Sequence, residues 1–245
     1  MTTGANPIPA PTKAERERDK DALAAGLIHC ASHGITSLHN MDGNFYQLEL
    51  LAELEAEGRL LCRVEVPMHL KHTDPVARVD EALEMRAKYN SDMLWCRRVK
   101  MFMDGVIDSR TAFMLQPYPG TDTCSAPLFS DAQFKEACIR ADAAGLQISV
   151  HAIGDAAVRQ TLDGYEAARK ANGARDSRHR IEHLEVMSPD DIPRLAALDV
   201  VASIQPLHSP IACRTRLMAS LRSWGVKSEI RRNFIVAVRF FPTHF

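Results

Sequence analysis

From residue 12 to residue 207, apolar positions switch repeatedly between a helical repeat and short β-branched runs. A repeat near 3.6 predicts an amphipathic helix, and a short apolar run bounded by turn residues predicts a strand. Thr12 with Glu15 three residues on is a capping-box pattern, which opens an Ala-rich helix toward Ser32. Gly34 ends it, and Ile35-Thr36-Ser37-Leu38-His39 predicts a strand. Leu48, Leu51, Ala52 and Leu54 predict a helix up to Gly58, with the next strand over residues 60–66. Asp74-Pro75 supplies an N-cap and a first-turn proline for a helix to about Tyr89. Residues 98–103 predict a third strand, followed by a Gly/Pro/Ser/Thr-rich segment, 104–129. Ser130 and Gln133 form a second capping box for a helix to Ala144, Gly145 stops it, and residues 146–150 predict a fourth strand. A helix over 156–172, a strand over 180–183, a helix opened by Ser188-Pro189-Asp190-Asp191 and ending near Leu198, and a strand over 200–204 complete the series.

Six strands, each preceded by a helix, require a parallel sheet with right-handed crossovers, hence an α/β fold. No strand runs into Gly-x-Gly-x-x-Gly or Gly-x-x-x-x-Gly-Lys, which argues against a dinucleotide or phosphate-loop fold. Periodicity leaves an open sheet and an incomplete (β/α)8 TIM-type barrel both standing. With 245 residues, 46% hydrophobic and 25% charged, the composition is that of a soluble globular protein. No apolar run approaches the roughly 20 residues that span a bilayer, and the N-terminus lacks a secretory apolar core. These features predict a cytoplasmic protein with no membrane partner. The six cysteines are scattered without a Cys-x-x-Cys pair, as expected of reduced thiols.

The net charge of −1 hides an asymmetry: residues 211–245 carry seven basic side chains against one acid, Glu229. A boundary therefore falls near Pro210. The expected division is a disordered segment, 1–11, a partial barrel domain, 12–210, and a divergent basic tail, 211–245. The tail holds Leu, Ile, Val, Phe and Trp without low complexity, so no nucleic-acid partner is expected. It reads instead as a truncated or frame-shifted end that supplies no regular further helix and strand.

The chemistry-bearing residues sit at strand ends. His151 follows Gln147-Ile148-Ser149-Val150 and precedes a Gly-Asp turn, and His183 follows Arg180-Ile181-Glu182. A lone strand-end His is often a hydrogen-bonded core residue, but two in equivalent places on successive strands suggest metal ligation by neutral imidazole. Lys100 lies within Val99-Lys100-Met101-Phe102-Met103, where it either points inward at a desolvation cost or snorkels outward beside Arg97 and Arg98. Asp104-Gly105 reads first as a strand-terminating turn, and Asp155 as a helix N-terminal residue. His29, His33, His39, His69 and His72 form no His-x-His or His-Glu-x-x-His pattern and read as structural or surface residues. Phe113, Tyr118 and Phe129 in segment 104–129 suggest an apolar component to a substrate pocket, and His208 a further lining residue. No Gly-x-Ser-x-Gly elbow or recognisable catalytic Cys is present.

Taken together, the strings Gly34-Ile35-Thr36-Ser37, Val99-Lys100-Met101-Phe102-Met103-Asp104-Gly105, Ser109-Arg110-Thr111-Ala112, His151-Ala152-Ile153-Gly154-Asp155, Arg180-Ile181-Glu182-His183 and Ser203-Ile204-Gln205-Pro206 resemble the amidohydrolase superfamily, in its amidohydrolase-3 (YtcJ-like) branch. The resemblance covers roughly residues 15–208. It implies a metal-dependent TIM-type barrel of which this chain holds family strands two to seven. It further implies hydrolysis of a non-peptide C–N bond, of amide or N-substituted formamide type, in a small-molecule substrate. The implied cofactor is one or two divalent ions, zinc above all, bound by His151, His183 and a carboxylated Lys100. Asp104, Arg110, Gln205 and His208 fall where substrate contacts are expected, and an oligomer is compatible with the pattern. The family's first-strand His-x-His and the Asp base of its eighth strand have no match, so no catalytic base is assigned. The alternative is a non-catalytic barrel fragment with residual metal binding.

Overall fold

The computed structural model describes residues 10–205. Most of the expected segment 1–11, His208 and the basic tail therefore lie outside the described residues. The described chain forms two compact units, one from residues 10–68 and 82–97, the other from 69–81 and 98–205.

In the first unit, α1 (Lys13–Ser32) begins with the full capping box: the Thr12 hydroxyl accepts from Glu15 N–H, and the Glu15 carboxylate accepts from Thr12 N–H at 2.8 Å. Thr12→Ala removes one half of this reciprocal pair and should cost about 1 kcal/mol, read as a shift in urea midpoint at unchanged m. Asn44, rather than the first apolar residue, caps α2 (Phe45–Ala56) by accepting from Gln47 N–H at 2.9 Å. Ion pairs stitch the two helices, among them Lys20 to Glu57 at 2.8 Å and Arg16 to Glu49 at 3.4 Å. Strands β1 (Ser37–His39), β2 (Arg63–Glu65) and β4 (Leu94–Trp95) form a parallel sheet in the order β1-β2-β4.

The second unit carries the longer sheet, in the order β3 (Met68–His69), β5 (Arg98–Phe102), β6 (Gln147–Ala152), β7 (Arg180–His183) and β8 (Val201–Ile204). Strands β5 to β8 pair in parallel. Helices α4 (Asp131–Ala143), α5 (Asp155–Asn172) and α6 (Ile192–Ala197) make the crossovers. Val99, Met101, Ile148, Val150 and Ile181, the outward positions of the pleat, are all completely buried. This is the expected α/β class, and the barrel is incomplete among the described residues, whose strands fall into two separately hydrogen-bonded sheets.

Local expectations fail where other partners compete. The predicted helix from Asp74 is a 3-10 turn (Val76–Asp80) followed by α3 (Glu81–Lys88). Asp74 does not cap it; its carboxylate takes Lys71 N–H and the Arg78 guanidinium instead. Ser130 caps α4, but Gln133 turns away and donates to His72 O at 2.8 Å, so only half of that box exists. Ser188 makes no cap, because its hydroxyl accepts from Arg159 at 3.3 Å. No helix among the described residues is long and apolar enough to cross a membrane.

Candidate functional site

The inner face of the longer sheet is polar. Register pairs Lys100 with Ser149 and Phe102 with His151 across β5–β6, and His151 with Glu182 across β6–β7. Because in-register neighbours share a face and alternate residues reverse it, Lys100, Ser149, His151, Arg180, Glu182 and Ser203 all lie on one side. Four polar groups in this row are joined by hydrogen bonds. Ser149 donates to Glu182 at 2.6 Å, and Arg180 donates to Glu182 at 2.5 and 3.1 Å and to Ser203 at 2.7 Å. Burial alone would raise Glu182, but the Arg180 guanidinium and the two serines hold it below the ordinary carboxylate range.

Lys100 does not snorkel. It is 1% exposed, donates to Met101 O at 3.2 Å, and its ammonium lies 4.1 Å from the Phe102 ring centroid.

Alternation would send His183, paired with Ala152, to the opposite face from Glu182. It does not stay there. The backbone leaves the strand at φ 77° at His183 and 52° at Leu184, and the imidazole lies 4.4 Å from that of His151 in a T-shaped contact. Two consecutive non-glycine residues in the left-handed region carry local strain, a feature concentrated at functional sites. Burial pushes His151 down to about 4, reinforced by His183 and Lys100 nearby and opposed by its bond to Gly105, so the ring is neutral near pH 7. His151 Nε2 lies 2.9 Å from Gly105 O. A carbonyl can only accept, so Nε2 carries the proton and Nδ1 is left as a lone pair. A backbone carbonyl holding the second nitrogen is one of the usual supports of a ligating imidazole.

Asp104, expected among the substrate contacts, is 3% exposed and turned into the backbone. Its carboxylate accepts from Phe113 N–H at 2.9 Å, Ile153 N–H at 3.1 Å and Gly154 N–H at 2.8 Å. Burial pushes its pKa up to about 6 against those three donors. Arg110 is exposed with φ 56°, and Gln205 is exposed beyond β8. Of the aromatic residues expected in a pocket, Phe113 is half-buried, Tyr118 and Phe129 are buried, and Tyr118 belongs to a cluster with Ile107, Ala112, Met114, Ile153 and Val186. Segment 104–129 is thus a packed cap on the strand ends.

The structure brings His151 and His183 together, with Lys100 on the same polar face as His151. Two imidazoles fit half of a four-coordinate zinc-type site. No group of three or more His, Cys, Asp and Glu side chains among the described residues completes it. The Gly105 carbonyl and the Glu182–Arg180 pair escaped the sequence reading. The signal for the second was present as Lys-x-Phe, Ser-x-His and Arg-x-Glu at matching strand positions. In the first unit His39 is exposed, as a surface residue should be, and its Nδ1 lies 2.8 Å from Glu65 at adjoining strand ends.

Comparison with known proteins agrees with this arrangement. A family model described as "Amidohydrolase family" matches residues 2–225. The putative amidohydrolase YtcJ of Bacillus subtilis is 25% identical over 192 residues, covering 76% of this chain and 34% of that protein. The N-substituted formamide deformylase of Arthrobacter pascens is 26% identical over 198 residues, covering 76% of this chain and 36% of that protein. An uncharacterized metal-dependent hydrolase from Pyrococcus furiosus superposes with a TM-score of 0.65 at 31% identity, covering 78% of this chain and 39% of that one. The chain thus spans about a third of the length of these two curated relatives. With the family model matched over most of its length, and with strand-end imidazoles on a parallel sheet, the chain belongs to the amidohydrolase family.

Proposed function

We propose that this chain is the central part of a hydrolase that cleaves non-peptide C–N bonds in small molecules, of amide or N-substituted formamide type, with a divalent metal held in part by His151 and His183. The observation that carries this reading is the pair of strand-end imidazoles 4.4 Å apart, reached through a strained backbone at His183. The names of the amidohydrolase and deformylase relatives support the bond type, and that of the archaeal hydrolase supports metal dependence. When bound, such an ion polarises a carbonyl and makes water acidic enough to attack it near neutral pH.

The chain's own residues hold and orient. Burial keeps His151 neutral, and Gly105 O holds its Nε2 proton, leaving Nδ1 as donor. Arg180 compensates the buried Glu182 charge beside His151, and the pull of that carboxylate toward a protonated ring is outweighed by burial. Lys100, once carboxylated, would add an oxygen donor from the same face. A second reading, a non-catalytic barrel fragment with residual metal binding, is favoured by one fact: the described residues hold no third His, Cys, Asp or Glu ligand beside the pair.

The test loads the full chain with zinc, dialyses it against a weak chelator, and assays N-formyl and N-acyl amines beside matched esters. His151→Ala and His183→Ala should each weaken zinc retention at least about tenfold, since each removes one of few donors. Turnover of the amines, abolished by both substitutions, supports the hydrolase. Zinc retention that depends on both residues without turnover supports the fragment. Retention indifferent to both sinks the metal site.

A further inference from the structure

We propose that Asp104 is a positioning residue for His151: it fixes the ring tautomer and keeps Nδ1 as the lone pair. This rests on His151 being a metal ligand, as proposed above. The Asp104 carboxylate gathers three backbone N–H groups, from Phe113 in the cap and from Ile153 and Gly154 just past β6. It thereby fastens the end of β5 to the end of β6. The next residue, Gly105, presents its carbonyl to His151 Nε2 at 2.9 Å. Gly105 is itself clamped, because its N–H donates to Thr111 O at 3.0 Å and a Cβ there would lie 2.1 Å from Thr111 Oγ1. The carbonyl therefore has little freedom to swing away. Asp104 Oδ1 also lies 3.6 Å from His151 Nε2, too far for a hydrogen bond but close enough for its charge to favour a proton on that nitrogen. Carbonyl and carboxylate select the same tautomer. Outer groups of this kind orient a ligating imidazole and alter metal affinity by about 10–100-fold.

The readout is the tautomer of His151 in the metal-free full chain at pH 7, from long-range 1H–15N correlation of its ring nitrogens. Wild type should show the Nε2–H form, with Asp104→Asn lowering the ratio of Nε2–H to Nδ1–H about tenfold and weakening zinc affinity by a similar factor in chelator competition. Asp155→Asn is the control, because Asp155 holds the same cap through Leu115 N–H at 2.8 Å. It should leave the His151 tautomer as in wild type. Should Asp104→Asn fail to fold, Asp104→Glu carries the test: it keeps the acceptor oxygens, displaces the charge by one methylene, and should lower the ratio by less. An Nδ1–H form in wild type, an unchanged ratio in the Asp104 variant, or an equal change in Asp155→Asn overturns the proposal. His151→Ala separates the two readings. Zinc affinity unaffected by it removes His151 as a ligand, while the tautomer data still decide what Asp104 does to the ring.

Discussion

Gly154→Ala should destabilise the second unit by roughly 2–4 kcal/mol and release the cap over residues 104–129. The cause is space, since Gly154 has φ −76° and ψ 151°, angles open to any residue. A Cβ there would stand 2.0 Å from Phe113 O, 2.6 Å from Phe113 C and 2.9 Å from Phe113 N. All three are backbone atoms, so no side-chain rotation relieves the clash. The Phe113 peptide is also held on both sides, its N–H by Asp104 at 2.9 Å and its carbonyl by Ala157 N–H at 3.2 Å. Moving it away from a new methyl group breaks the bonds that tie the cap to β6 and α5. Urea unfolding should show a lower midpoint at similar m, and the Phe113 and Leu115 amides should exchange faster. A midpoint within experimental error of wild type would mean the cap accommodates the methyl, and that its attachment to the strand ends is loose.

The alternation of helices and strands is legible in the sequence wherever an element is long enough to show a repeat. Strands β1, β2, β5, β7 and β8 each lie within a predicted run and β6 runs two residues past its own, whereas β3 and β4 are two residues each, too short for any period. Those two are set by what the chain meets in space. The same rule separates the caps. Thr12 and Glu15 close their box with Arg18 no nearer than 4.0 Å, while Gln133 and Ser188 are drawn off by distant groups and Asp74 by its neighbours Lys71 and Arg78.

At the site, the row of polar inward positions follows from strand alternation. Two things do not. His183 reaches His151 only because its backbone leaves the strand at φ 77°, which no pattern of residue types announces. Asp104 was legible as a turn residue, and the family resemblance placed it among the substrate contacts. What the sequence hides is that three N–H groups from two separate segments converge on its carboxylate, a convergence visible only after folding.

Asp142→Ala should cost about 3–5 kcal/mol, the range for breaking a buried charge cluster from one side. The carboxylate is 3% exposed and accepts from Arg175 at 2.6 Å, Asn172 at 2.9 Å and His179 Nε2 at 3.1 Å. His179 Nδ1 accepts from Ile148 N–H at 3.1 Å, so this ring is held neutral with its proton on Nε2, between the end of α4 and the start of β6. Burial alone would raise Asp142, but His179, Asn172 and Arg175 hold it far below the ordinary carboxylate range. Burial lowers His179, and the attraction of Asp142 only partly opposes it. Both shifts act with one sign. The Asp142 contribution is present above its unfolded value of about 3.9 and is lost as pH falls below it toward the depressed folded value. Below about 6.5 the unfolded chain takes up a proton that folded His179 refuses, so stability declines from there downward. The share of stability that Asp142 and His179 supply should therefore fall on acidification below about pH 6.5, by up to about 1.4 kcal/mol per pH unit for each proton. His151, also lowered, contributes to the same limb and Asp104, raised to about 6, opposes it, so the test compares His179→Gln with wild type in urea melts between pH 7 and 4. The variant should lose part of the slope between about pH 6.5 and 5 while keeping the fall below about pH 4. An identical slope in both proteins would place the His179 proton uptake in the folded state as well, and the depressed value for that ring would be wrong.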